Sequence, residues 1–177
     1  MMAGILLMLL VLVVAVWSWR KEAREAKRLG AKLYTAAYHL LGIPGLEPKK
    51  VARLFFADDR LIIRSGKQTF ELNYDKVTAI KAARKTDLIQ KNKSVIGRGV
   101  VGGVAFGGIG AIVGALSAVG GKKATKGNLL IVYYKPDGQD EPQPMAFDLR
   151  KTSRPERFEK FVLSQRPELA AQDYIAL

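Results

Sequence analysis

A chain of 177 residues is long enough for one domain with attachments, and with 49% apolar residues it can bury a real core. It has no cysteine and a single histidine, which excludes disulfides, thiol chemistry and the usual zinc ligand sets. Its 29 Lys+Arg against 16 Asp+Glu leave a formal charge of +13, which points to an anionic partner: phospholipid headgroups, nucleic acid or an acidic protein.

Residues 1–19, MMAGILLMLLVLVVAVWSW, carry no charged side chain. As a helix they extend about 28 Å, close to the ~30 Å thickness of bilayer hydrocarbon. Trp17 and Trp19 sit where an aromatic belt would place them, and RKEAREAKR follows at once. No basic stretch precedes the run and no small-x-small cleavage site ends it, so the pattern reads as an N-terminal transmembrane helix rather than a cleaved signal. Cations on its C-terminal side orient the N-terminus outwards, with the bulk of the chain cytoplasmic at the inner membrane.

Residues 20–42 read as a continuing basic, amphipathic juxtamembrane helix. Glu22 and Glu25 lie at pairing distance along it from Arg20, Lys21, Arg24, Lys27 and Arg28, and Leu29, Leu33, Ala36, Ala37, Leu40 and Leu41 form an apolar stripe. The five cations are candidate lipid- or anion-binding residues; the same cluster is also what flanks a membrane span of this orientation. His39 falls on this stripe, where it packs or caps rather than catalyses.

LLGIPGLEPKK ends the helix. Short alternating runs follow in residues 43–90: VARLFF (51–56), RLIIR (60–64), QTFELN (68–73) and 77–83, separated by turn-forming ADD, SGK and YDK. The same grammar resumes in residues 127–166, with NLLIVYYK (128–135), MAFDLRK (145–151) and an amphipathic helix opening at Pro155. Residues 167–177 form a tail. Neither half is a stable sheet alone, so the two must combine into six or seven antiparallel strands closed by one C-terminal helix.

LFFADDRLIIRSGKQTFELNYDKVTAI with the late strand–strand–helix ending resembles the pleckstrin-homology (PH) superfold, in particular bacterial PH/GRAM-like modules. The segment KNKSVIGRGVVGGVAFGGIGAIVGALSAVGGKK, spanning residues 94–123 and their flanks, is similar to the glycine-zipper segment that interrupts such a domain in a group of small bacterial membrane-associated proteins. The resemblance implies an α+β chain: a PH-like antiparallel β-barrel or sandwich with a C-terminal helix, interrupted by a glycine-zipper helical hairpin.

Within the insert, small residues recur on one face at Gly99, Gly103 and Gly107 and on a second at Gly110 and Gly114, the spacing that lets helices approach closely. A single crossing of a membrane would separate the two halves of the sheet, and Lys91, Lys93 and Arg98 before the run match Lys122, Lys123 and Lys126 after it. The run must therefore return to the side it left, either dipping into the bilayer or packing on the domain. Lys81, Arg84 and Lys85 join these cations in a candidate basic rim.

No serine sits in a GxSxG context, no phosphate-loop signature accompanies the glycines, and neither a metal nor a cofactor is expected. The composition therefore supports a non-catalytic membrane-anchored binding or scaffold protein recognising anionic lipid or a membrane protein partner. The alternative is a membrane-perturbing protein that forms a homo-oligomer through the zipper. Nucleic acid is the weaker partner, because membrane topology already accounts for the basic clusters.

Overall fold

The computed structural model of the chain describes residues 2–88, 127–149 and 154–171. Helix α1 (Met2–Arg28) is followed by seven strands: β1 (Leu33–Leu41), β2 (Val51–Phe56), β3 (Arg60–Ser65), β4 (Gln68–Asn73), β5 (Val77–Arg84), β6 (Asn128–Tyr134) and β7 (Gln143–Asp148). Helix α2 (Pro155–Gln165) and a short 3-10 turn (Pro167–Ala171) complete it. All strand pairs are antiparallel, in the order β4-β3-β2-β1-β7-β6-β5.

This corrects the expected barrel or sandwich. The sheet is a single open one whose edges, β4 and β5, do not pair. The chain passes between them through the 3-10 turn Tyr74–Lys76, pinned where the Tyr74 hydroxyl donates to the Ala57 carbonyl at 3.1 Å. On the β5 edge the Ala82 N–H donates to Glu159 Oε2 of α2 at 3.1 Å, so a helix side chain stands where a closing strand would lie.

The expected helix over 20–42 is also corrected. The helix stops at Arg28, Gly30 takes φ +67° to turn the chain, and LYTAAYHLL becomes β1, a central strand between β2 and β7. Tyr34, Thr35 and Tyr38 are residue types that fit a pleated surface, and pairing on both sides overrides the helical preference of the alanines. His39 accordingly sits on a strand.

The expectation of a membrane-spanning N-terminal helix, and with it the inner-membrane placement with the N-terminus out, is overturned as well. Among the described residues no helix is long and apolar enough to cross a membrane. From Arg20 onward α1 is charged, and in its last turns Ala26 packs on the sheet against Phe55 and Ile62.

Alternation along the strands separates two faces. Leu54 and Phe56 of β2, Leu61 and Ile63 of β3, Leu130 and Val132 of β6 and Phe147 of β7 share one core with Phe158 and Val162 of α2. Phe56 and Phe158 stack with ring centroids 4.9 Å apart, fixing α2 over the sheet. On the opposite face Phe55 and Ile62 receive Ala26 of α1, while Leu40, Leu129, Ile131 and Tyr133 gather with Leu88. β5 and β6 pair along their lengths, from Val77 opposite Tyr134 to Arg84 opposite Asn128, so the segments on either side of the glycine-rich run share one sheet.

Candidate functional site

The docking of α1 organises the charge of the molecule. On β2 and β3 the residues facing away from the core include Arg53 and Arg64, which stand opposite each other in the ladder. One helical turn of α1 supplies a carboxylate for each. Arg53 Nε donates to Glu22 Oε1 at 3.0 Å, and Arg64 Nη1 donates to Glu25 Oε1. Glu22 and Glu25, expected to pair along their own helix, thus reach across to the sheet.

The consequence is a segregation of sign. With both carboxylates of this helix end turned inward, the cations around them have no acidic partner among the described residues. Arg20, Lys21, Arg24 and Arg28 line a groove of about 430 Å³ together with Trp17, Glu25 and Arg64. Lys21 Nζ lies 5.7 Å from the Trp17 ring centroid, a cation–π contact. The Arg64 side chain, held by Glu25 through one nitrogen, has its Nε buried with no hydrogen-bond partner.

Four of the five helix cations proposed from sequence therefore meet at one place, and Lys27 lies outside the groove lining. Arg64 went unrecognised because nothing near it in sequence marks it; only the β2–β3 register carries it under α1. Lys85, expected on an exposed basic rim, is buried, with Nζ donating to Asp148 Oδ2 at 2.6 Å. Lys81 lies 3.8 Å from Glu159. The other proposed anion-binding residues, Lys91, Lys93, Arg98, Lys122 and Lys123, and the zipper positions Gly99, Gly103, Gly107, Gly110 and Gly114 lie outside the described residues.

His39 has a structural arrangement of its own. The Ile43 N–H donates to Nε2 at 3.3 Å and Nδ1 faces the Glu47 carbonyl at 3.3 Å, so the ring is neutral with its proton on Nδ1. Burial pushes its pKa below the ordinary value, outweighing the hydrogen bonds to backbone carbonyls that raise it. It secures the β1–β2 loop. Among the described residues no group of His, Asp and Glu is arranged to hold a metal.

Residues 48–134 match the family model described as a glycine zipper containing PH domain. The chain carries a PH-like domain with a glycine zipper. The match begins after β1 and ends with β6, so the PH-like domain is completed here by β1, β7 and α2, which lie outside the matched range. β1 and β7 are neighbours at the middle of the sheet, and without them its two halves would separate. No curated protein matches the chain. A PH-like domain is in general a module that binds lipids or proteins.

Proposed function

We propose that the protein is a non-catalytic binding module whose PH-like domain presents the end of α1 to an anionic lipid surface. The carrying observation is the segregation of charge on that helix: Glu22 and Glu25 are bound to Arg53 and Arg64, leaving Arg20, Lys21, Arg24 and Arg28 turned outward around one groove. Each cation placed near an anionic headgroup layer contributes about 1 kcal/mol. Immediately before them on α1, Met8, Leu10, Val11, Leu12, Val13 and Trp17 are more than half exposed, the apolar complement an interfacial helix uses. The net charge of +13 adds long-range attraction to such a surface.

The test is sedimentation of the full chain with vesicles of phosphatidylcholine alone or doped with phosphatidylglycerol, at low and high salt. The reading expects binding that needs the anionic lipid, weakens with salt, and falls when Arg20, Arg24 and Arg28 are replaced together by Gln. Equal binding to neutral and anionic vesicles would sink it.

A further inference from the structure

We infer that the groove between α1 and β3 is a site for a single terminal phosphate group, a phosphomonoester rather than a diffuse anionic surface, with Arg64 as its deepest donor. This rests on the anionic-lipid reading above and narrows it to one chemical group.

Three observations lead there. The first is Arg64 itself. A guanidinium offers five N–H donors in a fixed fork, and here Nη1 is engaged by Glu25 while Nε is buried and unpartnered. A buried donor without an acceptor is costly, and such groups call for a specific explanation. The second is the row of like charges on the groove wall. Arg20, Arg24 and Arg28 follow one another at four-residue steps, a spacing at which like charges repel. A dianion between them turns that repulsion into attraction. The third is composition and size: about 430 Å³ lined by five cations, one carboxylate and one indole. That sign balance fits a phosphomonoester, which carries nearly two charges at neutral pH and three strong acceptor oxygens. Guanidinium forks match those oxygens two at a time.

Glu25 has a defined part in this site. It is the sole carboxylate on the groove, and it competes with phosphate for Arg64. Phosphate that reaches Nε approaches Glu25 as well, so Glu25 lowers affinity for dianions and keeps Arg64 aligned when no anion is bound.

The experiment has two arms on the full chain. Inorganic phosphate is titrated at constant ionic strength, held with chloride, while tryptophan fluorescence is followed; Trp17→Phe identifies the groove's share of the signal. In parallel, vesicles of phosphatidylcholine doped with phosphatidic acid, a monoester, are compared with vesicles doped with phosphatidylglycerol, a diester. A saturable phosphate response carried by Trp17 is expected. Arg64→Gln weakens it about tenfold or more, Arg64→Lys restores part of it, Glu25→Gln strengthens it, and Lys160→Gln on α2 leaves it unchanged. Preference for phosphatidic acid, competed by phosphate, assigns the group to a lipid headgroup. A saturable phosphate response with no vesicle preference assigns it to a soluble phosphate ester. The absence of a saturable response at constant ionic strength, or a response that survives Arg64→Gln unchanged, overturns the site. If that happens while anionic vesicles are still bound, the surface reading stands without the site. If no anionic vesicle is bound, the surface reading fails, and the phosphate titration still decides the site.

Discussion

Arg53 and Arg64 face each other directly across β2 and β3, two like charges in the position where a sheet tolerates them least. What makes the pair tenable is α1: Glu22 and Glu25, one turn apart, each take one of the arginines. The docking of α1 is therefore electrostatic at its edges and apolar at its centre, where Ala26 sits on Phe55 and Ile62.

Replacing Glu22 and Glu25 together by Gln should cost more than the sum of the single replacements, since each neutral residue leaves the arginine pair less balanced. Half-exposed pairs of this kind contribute about 0.2–1 kcal/mol each. The double variant should lose on the order of 1–2 kcal/mol in urea unfolding, and the loss should shrink in high salt.

His39 makes stability depend on pH in a definite direction. Its folded pKa lies below its unfolded value of about 6.5 because the buried ring resists charge. The unfolded chain thus binds the proton the folded chain refuses, so this contribution is fully present above about pH 6.5 and is lost as the pH falls through the folded pKa. The urea midpoint should drop between about pH 7.5 and 5.5. His39→Leu should remove that slope while costing roughly 1–3 kcal/mol at neutral pH, since the Ile43 N–H loses its acceptor.

Phe158→Ala should cost about 3–5 kcal/mol, the range for deleting a buried aromatic. The stacking on Phe56 is lost, and with it the contact that seats α2 on the sheet. Amide exchange in β5 should accelerate beyond the global change, because Glu159 of the same helix holds the Ala82 N–H.

Lys85 and Asp148 form a buried ion pair with side chains 7% and 14% exposed. Asp148→Asn leaves an ammonium in a dry site and should cost about 3–5 kcal/mol. Replacing the pair by Met and Leu should cost much less, which chemical denaturation of the two variants will separate.

Much of the sheet was legible because its signals are local. β2, β4 and the start of β6 follow from alternation bounded by turn residues, and Pro155 marks the start of α2. β1 was not legible: in LYTAAYHLL the leucines and alanines fall at helical spacing, and the tyrosines and threonine that favour a strand are outvoted until β2 and β7 are in place. The open edges escaped the sequence for a related reason, since nothing in ERFEKF says that Glu159 will cap β5. The cations of the groove were readable as a cluster. Arg64 was not, because its partnership with α1 spans 39 residues of chain and exists only through register.

At the foot of the glycine-rich insertion the Lys85 N–H donates to the Gly127 carbonyl at 3.1 Å, directly beyond the last rung pairing Arg84 with Asn128. Departure and return thus share a single doorway in the framework. For a flexible connection, the entropy of closing such a doorway varies only with the logarithm of its length, about 0.6 kcal/mol per doubling. Such a junction behaves as a socket: the framework can keep its strand alignment while whatever is plugged between those two residues diverges.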